Sequence, residues 1–334
     1  MATYKGINGF AVQSVASDPS PLDEGQVWYN NATYAFKLAA FVAVNAWASG
    51  GNLGTARYAL SGTGTQTAAL GVGGYTAGVY YTNTELYNGT SWTANPTGLA
   101  TARGYNGQAG SQTATLTFGG STSPAPYGVT NVESFNGTTW TSSPALPAAR
   151  SGCGSCGTQT AALNFAGFNG PAVYSNVTES WNGSAWTAGG NMNISRVLLG
   201  GGAGTQTAAL GFGGYLTPAG HTSSSESYNG STWTSTPSLN TARSRLAGFG
   251  ATNTAAIAAG GTAAPGNTNS GATELYNGTS WTTNPSSMAT ARRFIGGNGT
   301  QTAGLVFGGL TPSITAATEE WSGTVLQTQT ITTS

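Results

Sequence analysis

Three features of this sequence predict an all-β fold, a β-propeller of six blades with four antiparallel strands each. The first is a stretch, Thr84-Glu85-Leu86-Tyr87-Asn88-Gly89-Thr90-Ser91-Trp92-Thr93, copied at 132–140, 178–186, 225–233 and 273–281, and more weakly at 318–323. The second is a series of arginines about 47 residues apart: Arg57, Arg103, Arg150, Arg196, Arg243 and Arg292. The third is a Gly-Gly pair closing an apolar run, as at Gly73-Gly74, with Ala166-Gly167 in the third copy. Four short strands per unit at this period are the pattern of propeller blades.

Residues 1–40 do not repeat and read as an N-terminal docking arm. A polar, proline-broken loop (18–25) precedes a hairpin, Gln26-Val27-Trp28-Tyr29-Asn30-Asn31-Ala32-Thr33-Tyr34, with Asn-Asn at its turn. The arm holds five of the chain's twenty charged residues. Residues 41–334 form the propeller. In each unit one strand follows the Arg and a second ends in Gly-Gly. A third carries Glu and an aromatic, and a fourth carries Trp. The Asn-Gly between the last two predicts a type I′ hairpin turn, which needs two positive φ values. The final unit has no Trp in register. Trp47, ten residues before Arg57, supplies it, so an N-terminal strand is expected to close the last blade.

Composition narrows the chemistry. The chain has no net charge, 6% charged residues and 52 glycines among 334 residues. Nine tryptophans and alternating apolar runs argue against disorder. A neutral chain offers no basic footprint for nucleic acid. No apolar run is long enough for a membrane-spanning helix, and the first residues hold no apolar signal core.

The repeated arginines and Glu85, Glu133, Glu179, Glu226, Glu274 and Glu319 make up twelve of the twenty charges. A group present at every equivalent position serves the scaffold, so one buried ion pair per blade, or between neighbours, is expected. Cys153 and Cys156 form a lone Cys-Gly-Ser-Cys in a strand setting, without the helix that a redox motif opens, and read as small buried residues. No metal site is expected, because His221 is the single histidine. No cofactor is expected either: the glycine-rich inner strands lack the following helix of a phosphate cradle. Asn-Gly-Thr and Asn-Gly-Ser triplets match a glycosylation acceptor, but turn chemistry accounts for them.

The loops between second and third strands vary in length and gather aromatics. Tyr75, Tyr80, Tyr81, Tyr127, Phe168, Tyr174, Tyr215 and nearby His221 are the candidate binding face. Propeller enzymes need histidine ligands or placed carboxylate pairs, and neither is left over here. An enzyme is not expected.

Over roughly residues 46–325 the repeats resemble kelch repeats, through the Gly-Gly pair, the Glu before an aromatic, the Trp and the proline-flanked Arg of Leu146-Pro147-Ala148-Ala149-Arg150. The tight Asn-Gly turn, which sets Tyr87 and Trp92 five residues apart, departs from the usual kelch pattern. The opening Tyr4-Lys5-Gly6-Ile7-Asn8-Gly9-Phe10 and the segment Glu24-Gly25-Gln26-Val27-Trp28-Tyr29-Asn30 are similar to virion proteins of tailed bacteriophages that infect marine cyanobacteria. That resemblance implies a virion structural protein present in multiple copies. Its arm, with Trp28, Tyr29 and Tyr34, would dock on other virion proteins, and its head would contact a host-surface glycan or protein. A capsid decoration protein without a receptor, and a cellular kelch-type interaction module, are the alternatives.

Overall fold

The computed structural model describes residues 12–122, 128–170, 173–197, 199 and 201–331. Among them there is no helix, and most strands fall into four-stranded antiparallel sheets. The first sheet runs Ser61–Thr65, Ala68–Val72, Thr84–Tyr87, Trp92–Ala94. Four more repeat that order, starting from Gly107–Gly110, Gly154–Thr158, Gly202–Thr205 and Ala247–Thr252. In another, Gly296–Gly299 and Ala303–Phe307 are followed by Thr318–Thr330 and then Ala35–Gly50. Among the described residues no sheet closes on itself. The architecture is all-β and compatible with a β-propeller.

The chain divides into two compact units, one of 46–321 and one whose described residues are 12–45 and 322–331. The boundary between the units lies at 45/46, and the C-terminal segment groups with the N-terminal one. In the smaller unit Gln13–Val15 pairs in parallel with Val27–Asn30, which pairs antiparallel with Ala35–Gly50.

Sequence explains the sheets of the larger unit strand by strand. The second strands are buried along their whole length, as Thr115–Phe118, or all but the first residue, because both faces meet neighbouring side chains, so they read as continuous runs. Their phenylalanines receive a tryptophan from another sheet, with ring centroids 4.6 Å apart for Trp92–Phe307 and 4.8 Å for Phe212–Trp281. Such pairs add about 0.5–1.5 kcal/mol beyond burial. The indole N–H then donates to the threonine that opens a third strand: Trp140 to Thr84 and Trp233 to Thr178, both at 2.9 Å. Trp47, the N-terminal substitute, does the same to Thr273 at 2.8 Å.

The Gly-Gly pair is a backbone requirement. Gly73 and Gly74 have φ of +63° and +111°, and a Cβ on Gly73 would stand 2.3 Å from the Arg103 carbonyl oxygen. Ala166 takes the same conformation, φ +61°, with its methyl in place.

The predicted type I′ turn is not formed. Gly89 has positive φ, but Asn88 does not, and Tyr87 pairs with Trp92 across a four-residue loop. The Asn88 Oδ1 accepts the N–H groups of Thr90 and Ser91 at 3.0 and 2.9 Å. The same side-chain cap recurs at Asn136, Asn182, Asn229 and Asn277. Asparagine is there to hydrogen-bond its own loop, and only glycine supplies the left-handed residue.

Candidate functional site

Each repeat arginine meets the glutamate of its own third strand. Arg196–Glu226 and Arg292–Glu319 lie at 3.0 Å, Arg243–Glu274 at 2.8 Å and Arg103–Glu133 at 2.6 Å, and Arg57 pairs with Glu85. Burial pulls Arg196 down to about 10 while Glu226 opposes the shift, so it stays protonated at neutral pH. The second carboxylate oxygen accepts a backbone N–H from the segment leading into the repeat, as Asn193 to Glu226 and Asn240 to Glu274. The third repeat is looser. Arg150–Glu179 is 3.5 Å, Arg150 also donates to Ser175, and Glu179 accepts from Asn164.

The first strands of the six sheets border a cavity of about 370 Å³. Their glycines are small for a packing reason: a Cβ on Gly107 would stand 2.2 Å from the Phe118 ring, and one on Gly154 equally close to Phe165. Cys153 and Cys156 also border it. Both are buried and unpaired, and burial pushes both thiols up to about 12, so they stay protonated.

At one end of the cavity lie residues two places after the repeat arginines. Ala59, Tyr105, Gly152, Arg245 and Phe294 all hold φ between +54° and +58°. They join in a backbone chain: Phe294 N–H donates to Arg245 O, Ala59 N–H to Phe294 O, Tyr105 N–H to Ala59 O and Gly152 N–H to Tyr105 O, at 2.8–2.9 Å. The left-handed conformation costs about 1–2 kcal/mol for a residue with a side chain. Gly152 and Ala59 show that small residues fit this position, yet Tyr105, Arg245 and Phe294 occupy it with large ones.

These side chains form a cluster. The Arg245 Cζ lies 5.1 Å from the Phe294 ring and 5.8 Å from that of Tyr215. Phe294 packs on Tyr105 at 5.5 Å and on Tyr58 at 5.6 Å. Tyr58 leads on to Tyr75, and Tyr75 to Tyr80 at 4.8 Å. Burial raises the phenols of Tyr58, Tyr80 and Tyr105, keeping them as neutral groups. Arg293 lies near and donates to Asn269 Oδ1 at 3.1 Å. Burial first, then Arg293, lowers Arg245.

Of the candidate face, Tyr75, Tyr80, Tyr215 and His221 are brought into or against this cluster. Tyr215 and His221 meet edge to face at 5.3 Å, where a short two-strand pairing sets them opposite each other. Both ring nitrogens of His221 are engaged: Nε2–H donates to Asn267 Oδ1 at 2.7 Å, leaving Nδ1 to accept the Ser244 hydroxyl at 2.9 Å. Phe168 and Tyr174 pair at 5.3 Å, with Tyr174 near enough to act on Arg245, and among the described residues Tyr81 shares no ring contact. Tyr127 lies outside the described residues. In the smaller unit Trp28 is fully buried and its indole N–H donates to Asp18 Oδ1 at 2.9 Å. Tyr29 packs on Phe36, and Tyr34 is 82% exposed.

Sequence reasoning missed Tyr58, Tyr105, Arg245, Arg293 and Phe294. The signal was present. Removing the repeat charges and the arm's charges leaves only Arg245, Arg293 and Glu320. Among the described residues no group of three or more His, Cys, Asp or Glu side chains is placed to hold a metal. No protein-family model matches the chain, and no curated protein matches it.

Proposed function

We propose that the chain is a non-enzymatic binding head: a six-bladed, kelch-like β-propeller closed by the strand that carries Trp47. In this reading it is displayed on a tailed-bacteriophage virion by its N-terminal segment. The ring arrangement draws support from neighbouring first strands: Gly296–Gly299 packs on Ser61–Thr65, and each of the others packs on the next. One observation carries the binding reading. Aromatic and cationic side chains that break the repeat collect at one end of a cavity to which every repeat contributes. Recognition tends to reside where a rigid scaffold carries irregular residues.

The carboxylate inventory supports the non-enzymatic reading. In the larger unit six glutamates face arginines, and Glu320 receives the Tyr87 hydroxyl. None is left as a free acid or base beside the cavity. The partner is a host-surface glycan, since neutral tyrosines supply flat contact area and hydrogen bonds. The virion part rests on the likeness of the first residues and of 24–30 to phage structural proteins.

Electron cryo-microscopy of the particle that carries this chain tests the placement. Density at a tail or fibre tip, with the Tyr75–Tyr80 and Tyr215–His221 hairpins outward, is the expected result. Density in the capsid lattice with those hairpins covered makes the chain a decoration protein. A particle lacking the chain ends the virion reading. Purified protein should also compete with particles for adsorption to host cells, and failure to compete removes the receptor role.

A further inference from the structure

We propose that Arg245 is the anion-binding centre of this face and that its ligand is one acidic sugar residue, bearing a carboxylate or a sulfate. The inference rests on the glycan reading above and specifies its chemistry. Arg245 and Arg293 are the two arginines of the larger unit that stand outside the repeat. Every carboxylate of that unit is already held, six by arginines and Glu320 by the Tyr87 hydroxyl. Asp18, Asp23 and Glu24 belong to the other unit. Among the described residues, the Arg245 side chain makes two ring contacts and no hydrogen bond or ion pair; its Nε is buried without an acceptor, as are those of Arg293 and most of the repeat arginines. A guanidinium fork in that state matches a bidentate anion.

The backbone gives a second, independent reason. Arg245 sits in the left-handed region at a position where glycine and alanine occur in other repeats. A large side chain held against strain and left without a partner is a mark of function more than of packing. The flanking rings of Tyr215, Phe294 and Tyr105 provide faces for the C–H side of a sugar ring, and the cavity of about 370 Å³ falls within the ~300–1,000 Å³ of small-molecule sites. An acidic peptide fits less well. Its carboxylates are spread along a chain at ~3.3 Å or more per residue and ask for cations at intervals. This face offers two, close together.

The test is isothermal titration of the full chain with a galacturonic acid tetramer, its methyl ester, a sulfated galactose tetramer and a hexaglutamate peptide. The expected result is binding of one or both acidic sugars, with the methyl ester about ten- to a hundredfold weaker, as for loss of a charge-assisted contact. The carboxylated and sulfated tetramers tell which anion the site takes. Arg245→Gln should weaken the acidic sugar to the level of the ester, and Arg245→Lys should recover only part, because a point charge lacks the fork. Thermal melting checks that each variant is folded, and the acid–ester comparison on the natural chain stands even if a variant is not. Equal affinity for acid and ester, an unaffected folded Arg245→Gln, no binding of either acidic sugar, or tighter binding of hexaglutamate each overturns the proposal. If Arg245→Gln still competes for host adsorption, the glycan reading survives and only the acidic specificity falls. If the natural chain does not compete either, the glycan reading fails with it.

Discussion

The larger unit holds arginines in two settings. Six sit at the repeat position, fully or almost fully buried, each against a glutamate. Arg245 and Arg293 stand one or two residues further along the same segments, half-buried and without a carboxylate. The two settings are close in sequence, yet one holds strands together and the other leaves a cation available. What separates them is the third strand. A glutamate placed there in every repeat answers the first set, and among the described residues no carboxylate answers the second.

Breaking the paired set should have the largest effect. Glu226→Ala strands the buried Arg196 and should destabilise by ~3–5 kcal/mol, read from urea unfolding. Replacing both partners, Arg196→Met with Glu226→Leu, should recover most of that loss, because no buried charge is left alone. A double variant as unstable as the single one would mean that the pair acts through its backbone contacts instead.

Glu179→Ala sharpens the comparison within the paired set. Arg150 is 3.5 Å from its glutamate and keeps Ser175 as a second acceptor. The loss should be ~2 kcal/mol, nearer that of one charged hydrogen bond. A loss equal to that of Glu226→Ala would show that the longer separation carries no energetic meaning.

A smaller change, and a gain, is expected at Val132. It opens a third strand where Thr84 and Thr178 accept an indole N–H, and it shares a cluster with Trp186, whose buried Nε1 has no acceptor. Val132→Thr should restore the missing bond and stabilise by ~1 kcal/mol. A fall in the melting temperature would mean that the hydroxyl does not reach. The smallest loss belongs to the unpaired set: Arg245→Gln removes two ring contacts and strands no partner, so it should cost ~1 kcal/mol.

Much of the architecture was legible, because glutamate, tryptophan and Gly-Gly recur at one period and each has a strand-level reason. The hairpin turn was not. Asn-Gly fits a type I′ turn by propensity, but Asn88 bonds Thr90 and Ser91 and lengthens the loop to four residues. The fate of Trp28 was likewise invisible, since only the fold reveals Asp18 beside its indole. Tyr75, Tyr80, Tyr215 and His221 were singled out through variable loops rich in tyrosine, and the fold brings them against the Arg245 cluster. Tyr105, Arg245 and Phe294 were missed because they follow the repeat arginine so closely that they read as part of the repeat.

The most direct test of the account measures stability and acidic-sugar affinity together on one folded preparation of Arg245→Gln. The account predicts a melting temperature close to that of the natural chain and binding reduced to the level of the methyl ester. A large fall in stability with affinity retained would contradict it, and would move Arg245 into the same structural set as the six paired arginines.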